Sequence, residues 1–348
     1  MYSESDLEGA VAAGALTPAA ADAFRNHIAN CRATSLVDEE SFRLLTGFND
    51  IFVAIAIALL LTALAWIGGD TSPGLGGALV AGASWLLAEY FTKKRRMALP
   101  SIVLLLTFTG GVAAAMVGTM VDLDPQFSDR TNALLLAGFG VVTATAAWAH
   151  WRRFHVPITV AAGAVALVGV LVSLVLAIDT GLQDQVPWFV LAGGIALFAA
   201  AMWWDMSDRT RHTRRADVAF WLHLAAAPMI AHPIFHQLGL LDGYVGTGQA
   251  AIVIALYIFF AAVSLAVDRR ALLVSSLAYV LYAMSALFER FGAVSLGVAF
   301  TALIIGSALL MLSAFWHPVR RMVVGTLPGG WRDKLPVSDR PAPLARPA

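Results

Sequence analysis

The chain has 348 residues, 59% of them hydrophobic and 13% charged, with a mean hydropathy of +0.74. A water-soluble domain carries about 25% charge and about 45–50% apolar residues, so this chain holds more apolar surface than one soluble core can bury. The composition excludes a disordered protein, an ordinary soluble enzyme and, at 23 basic against 23 acidic residues, a nucleic-acid binder that relies on a basic field. It predicts an all-α polytopic transmembrane helix bundle whose first partner is the lipid bilayer.

Residues 1–47 are polar enough to form a cytoplasmic helical segment. Leu7, Val11 and Leu16 mark a first short helix that Gly14 can end. Thr17-Pro18 then reads as an N-cap followed by proline at the first helical position, opening a second helix over about 19–30. A third, about 38–47, would lie on the membrane surface and lead into the first span. Cys31, the single cysteine, allows no intrachain disulfide. Nothing before residue 48 has the apolar core of a signal peptide, so the first apolar run is expected to stay as a span. This segment is also the candidate docking surface for a protein partner or a second copy.

A span needs about 20 mostly apolar residues. Ten such runs follow within 48–316, at about Asn49–Gly68, Gly74–Phe91, Pro100–Val121, Asn132–Trp151, Pro157–Ile178, Trp188–Met206, Ala216–Leu238, Gln249–Val267, Ala271–Phe288 and Ala293–Phe315. Their connections alternate in sign. One set carries Lys93 to Arg96, Arg152-Arg153, Arg209 to Arg215 and Arg269-Arg270; the other carries Asp70, Asp122, Asp124, Asp129, Asp179, Asp184 and Asp242, with Arg130 and Arg290 as its only basic residues. Retention of positive loops puts the first set, and with it both termini, in the cytoplasm. Trp66, Trp148, Trp151, Trp188, Trp203, Trp204, Trp221 and Trp316 fall near the span ends and read as interfacial anchors. After the last span, His317 to Val324 reads as a short interfacial helix held to the inner leaflet by Arg320 and Arg321. The cytoplasmic tail of 317–348 ends in a proline-rich stretch expected to be disordered.

The order of helix, Gly14-Ala15-Leu16-Thr17-Pro18, helix and many spans resembles uncharacterised bacterial multi-pass inner-membrane proteins of the domain-of-unknown-function type. The ending Phe315-Trp316-His317-Pro318-Val319-Arg320-Arg321, with Leu327-Pro328 and Leu335-Pro336 behind it, is similar to tails of the same proteins. The resemblance implies a bacterial inner-membrane location and brings no activity, cofactor or site residue with it.

Ionisable groups inside spans are costly and therefore candidates for function. Glu89, His150 and Asp205 lie near span ends and are expected at the interface. The seventh span is different, with His223, Pro228, His232, Pro233 and His236 in one apolar run. Each proline removes a backbone donor, so a broken helix with a polar cavity is expected there, lined by His223 and His232. Glu289 at the end of span nine is placed to face its outer side. Broken helices with polar groups are how many transporters build sites, and imidazole titrates near neutral pH. The leading expectation is a carrier of a small solute or ion with no cofactor. One alternative is a metal- or haem-linked membrane enzyme using these histidines, with His232 and His236, four apart, as the metal pair. The other is a non-catalytic scaffold or sensor acting through residues 1–47. Glycine pairs such as Gly138 and Gly140, Gly163 and Gly169, and Gly193-Gly194 read as helix-packing positions.

Overall fold

A computed structural model describes residues 4–24, 48–123, 126–209, 214–239, 247–290 and 297–336; among them every element is helical and no strand occurs. The chain divides into two units, one holding residues 1–42 and 339–348, the other 43–338. The expected third amphipathic helix and most of the tail lie outside the described residues.

In the first unit α1 (Glu4–Ala12) stops ahead of Gly14, whose φ of +71° is the left-handed conformation that ends helices cheaply only at glycine. Residues 18–24 form α2. The hydroxyl oxygen of Thr17 accepts from the Ala20 backbone N–H at 3.1 Å, so Thr17-Pro18 opens that helix as its residue types dictate.

The second unit runs α3 (Phe48–Thr71), α4 (Pro73–Ala88), a π-helix (Glu89–Lys94), α5 (Ala98–Leu123), α6 (Asp129–Phe154), α7 (Ile158–Ile178), a 3₁₀ turn (Thr180–Gln185), α8 (Val186–Ser207), α9 (Arg214–Gln237), α10 (Thr247–Val267), α11 (Ala271–Arg290), α12 (Gly297–Ala314), α13 (Trp316–Thr326) and α14 (Gly329–Arg332). Among the described residues, seven helices are long and apolar enough to cross a membrane, or eight if α12 and α13, bent by 79°, are counted as one broken span. Over its described residues each of the ten apolar runs is mainly helical, but α4 and the apolar part of α11 are short. The 16 residues of α4 rise only about 24 Å, and the π-helix continues them toward the next connection.

The short break before α4 is built by its own residues. Ser72 accepts from the Leu75 N–H at 3.3 Å as an N-cap, Pro73 fills the first helical position, and the Ser72 hydroxyl donates to Asp122 at the end of α5. Helices gain little from leaving one apolar surroundings for another, so contact between them depends on close approach. The tightest approach is between α4 and α5. A Cβ added at Gly77 would overlap the Ala115 backbone nitrogen, and one at Gly111 would lie 2.8 Å from the Ala81 nitrogen. Of the glycines singled out in sequence, Gly193 and Gly194 are tight against Val168 and Met229, whereas Gly138 and Gly169 face open space. A second core joins Ala227, Ala231 and Phe235 of α9 to Val253 and Phe260 of α10, Val280 and Ala283 of α11, and Ile305 of α12.

Tryptophan divides into two roles. Trp66, Trp148, Trp188 and Trp203 are exposed, as anchors should be, but Trp221 and Trp316 are buried. The interfacial expectation for those two is corrected: Trp316 donates its Nε1–H to Asp268 at 2.7 Å inside the fold.

Candidate functional site

The strongest polar constellation gathers where α8, α9 and the α10–α11 connection meet. Asp205 lies just before the end of α8, in the apolar run Trp203-Trp204-Asp205-Met206, and is 1% exposed. It is thus enclosed by protein and does not reach out to headgroups as an exposed interfacial carboxylate would. A carboxylate out of water needs donors on both oxygens. Arg269 supplies one side, with Nη2 2.7 Å from Oδ1 and Nε 3.4 Å from Oδ2. His223 supplies the other, its Nε2–H donating to Oδ2 at 3.0 Å. The same Arg269 Nη2 donates to the Ala216 carbonyl at 3.1 Å, tying the start of α9 into the set.

The positions of all three follow from local sequence. Asp268, with φ +60°, turns the chain sharply after α10, and Arg269 leaves that turn directed inward. His223 occupies the buried stripe of α9 with Ala216, Ala219, Ala226 and Ala227, where alanines leave room for a polar side chain. Phe198 meets the His223 ring edge-on at 4.9 Å between centroids, and the Phe220 ring lies 5.8 Å from the Arg269 guanidinium. His223 and Arg269 are 2% and 5% exposed, so the network is enclosed. Asp217 of α9 stands within electrostatic range of Arg269, Arg214 and Asp208, which extends the charged surroundings toward the helix ends. Imidazole is the one side-chain type in this set that, free in water, titrates near neutral pH.

The other expected site residues are distributed differently. The prolines do not interrupt α9, which runs as one helix from Arg214 to Gln237 with Pro228 and Pro233 inside it. Pro233 is buried, while Pro228, His232 and His236, successive residues at a spacing of four, lie on an exposed face. His223 and His232 therefore sit on opposite sides of the helix, as nine residues at the 3.6 repeat require, and do not line one cavity. His232 Nδ1 instead bonds the Tyr279 hydroxyl of α11, and the His232 and His236 rings are 6.3 Å apart. Among the described residues no group of three potential metal-ligating side chains occurs. Glu289 belongs to α11, but its side chain lies outside the described residues.

Three further polar clusters lie elsewhere in the second unit. His150, expected at the interface, is fully buried against Phe108, Phe154 and Trp85, with Nδ1 3.3 Å from the Thr159 hydroxyl. Glu89 does pair near a helix end, with Lys93 at 3.7 Å, and it also takes a two-pronged hydrogen bond from Arg153 at 2.7 and 2.8 Å. Asp268 accepts from Trp316 and faces Arg320 at 3.5 Å; Arg320 also donates to the Leu265 and Pro336 carbonyls at 3.1 and 2.8 Å. Arg320 is 1% exposed, so it belongs to the protein interior and not to the lipid leaflet where its sequence position suggested.

Sequence reading singled out His223 but missed Arg269 and the role of Asp205. The available signal was an aspartate embedded in the aromatic end of an apolar span, a position that requires a cation from elsewhere in the chain. No protein-family model, curated protein or solved structure matches this chain.

Proposed function

We propose that this protein is a bacterial inner-membrane carrier of a small solute or ion. It has ten spans, both ends in the cytoplasm, and His223 as its proton-coupling group. The contacts between connections support the even number of spans. Glu89 and Arg153 join the α4–α5 and α6–α7 ends; Asp205 and Arg269 join the α8–α9 and α10–α11 ends. Ser72 and Asp122 join two connections at the opposite end. The positive charge on the first set assigns it to the cytoplasm, and the resemblance of the two chain ends supports a bacterial inner membrane. Reporter fusions after Arg96, Arg153, Arg215 and Arg270 are expected to read inside, and those near Asp124, Asp184 and Asp242 outside. One connection on the wrong side breaks the alternation and removes this topology.

The observation that carries the functional reading is the enclosed Asp205 carboxylate shared by a fixed cation and an imidazole. Such a set is costly among apolar helices and is a default mark of function there. Protonating His223 adds a charge to an otherwise balanced pair, and solute-dependent rearrangement of the helices is what relieves it. The test uses purified protein in liposomes with an internal pH indicator, challenged with gradients of alkali cations, phosphate, dicarboxylates and amino acids. One class is expected to move protons. His223→Phe is expected to insert and fold, because Asp205 keeps Arg269, yet to uncouple that movement. Unchanged proton movement in the variant would exclude His223 as the coupling group, and silence across the panel would count against a proton-coupled carrier.

A further inference from the structure

The segment that follows α13 returns to the end of the bundle where Asp205, His223 and Arg269 meet. It passes through Leu327-Pro328, the short α14 and Asp333-Lys334 to Leu335 and Pro336. Residues 328–334 are exposed, whereas Leu335 and Pro336 are buried. Two arginines hold this end from different elements. Arg209, just beyond α8, donates from Nε to the Leu335 carbonyl at 3.0 Å and from Nη2 to the Arg332 carbonyl at 3.5 Å. Arg320 of α13 donates to the Pro336 carbonyl at 2.8 Å. Arg332 latches the segment to its own start, through the Leu327 carbonyl at 2.6 Å and the Gly325 carbonyl.

What lies beneath this segment connects it to the polar site. Leu335 shares a buried cluster with Val267 and Val324, and Phe198 and Met202 of α8 pack against that cluster. The same residues border the polar set. Phe198 meets the His223 ring, Met202 stands one helical turn before Asp205, and Val267 is two positions before Arg269. The segment therefore completes the apolar layer beside the set and adds no charge to it. Its hold is light: two buried residues, and arginine hydrogen bonds to three of its backbone carbonyls. Segments with few buried contacts are the ones that open locally at small cost.

The two glycines at the start of α14 carry the next step. Neither Gly329 nor Gly330 has the positive φ found at Gly14 and Gly239, and a Cβ added at either would meet nothing within 4 Å. The arrangement seen here thus gives no steric reason for glycine at either position, although glycine is costly to fix in a helix. Residues that change φ and ψ freely are suited to a hinge.

We propose that residues 331–336 are a hinged cover that swings on Gly329-Gly330 and controls aqueous access to the Asp205, His223 and Arg269 set. The structure holds the cover closed, with Arg209 as its catch. A gating role in transport rests on the carrier reading; the opening itself does not.

The experiment uses the full-length protein with Cys31→Ser and a hydrophilic thiol reagent, so it needs no substrate. Leu335→Cys reports on the cover and Val267→Cys on the layer beneath it, both from buried positions, with Lys334→Cys as the exposed reference. Both buried thiols are expected to react far more slowly than the reference. Arg209→Gln is expected to speed both by about tenfold, the worth of about one hydrogen bond from a charged donor. Gly329→Ala with Gly330→Ala, for which there is space, is expected to slow both by about threefold, because alanine restricts the hinge. A Leu335→Cys thiol as reactive as the reference overturns the closed cover. Rates that ignore Arg209→Gln overturn the catch, and rates that ignore the alanine pair overturn the hinge. A response at 335 with none at 267 shows a segment that moves but covers nothing, and overturns the control of access. Any of these results leaves the carrier reading standing, because that reading is tested by proton movement in liposomes.

Discussion

Replacing Arg269 by methionine is expected to destabilise the protein by about 3–5 kcal/mol, the usual cost of leaving one member of a buried ion pair without its partner. Asp205 would retain only the His223 N–H at 3.0 Å, and the Ala216 carbonyl would lose its donor. The carboxylate is 1% exposed, so water cannot make up the deficit without opening the fold. Asp205→Asn on its own should cost less, since the amide keeps acceptor capacity and removes the buried negative charge. The pair is expected to be strongly non-additive: Arg269→Met with Asp205→Asn should be more stable than the sum of the single changes by about 0.5–3 kcal/mol. Equilibrium unfolding of purified protein in mixed micelles measures all three. Additive losses would mean that Asp205 and Arg269 do not depend on one another for compensation. The His223→Phe change should cost least of the network substitutions, which separates its role in coupling from a role in holding the helices together.

The contrast between Arg269 and the helices explains what sequence could carry. An apolar run long enough to cross a bilayer must satisfy its own backbone, and helix is the one local way to do so. Consequently α3, α5 to α10 and α12 were legible from composition alone, and local chemistry sufficed for the Ser72-Pro73 and Thr17-Pro18 helix starts. The destination of a loop arginine has no such local rule. Arg269-Arg270 reads identically whether both face headgroups or one turns inward, and the choice depends on Asp205, 64 positions away. Proline gave the opposite error. Pro228 and Pro233 suggested a break, but the alanine-rich buried face of α9 packs closely enough against its neighbours for the helix to pass through both. The phase of His223 against His232 was available from the helical repeat, and the structure keeps that phase because the helix is uninterrupted.

Arg320 shows a signal that was present in the sequence but read with the wrong partner. Trp316, Arg320 and Val324 are spaced by four, so α13 presents them on one face, and all three are buried. An arginine between two apolar residues of a helical stripe faces whatever that stripe faces; here that is the end of α10, through Leu265 and Asp268. Arg320→Met is therefore expected to cost about 3–5 kcal/mol, because it removes a buried cation that faces Asp268 at 3.5 Å and takes this donor from the Leu265 and Pro336 carbonyls. Arg320→Lys is not expected to rescue it: one ammonium cannot reproduce a planar fork that reaches a carboxylate and two carbonyls at once. The loss should also be regional. Val324 and Leu335 pack with Val267 beneath this network, so amide exchange should accelerate over 316–336 and at the α10–α11 turn while the α4–α5 pair keeps its protection. Equal stability of the methionine variant and the parent would place Arg320 at the lipid surface after all. Faster exchange spread evenly over both helix pairs would mean that α13 is not held as a separate clamp on the α10 end.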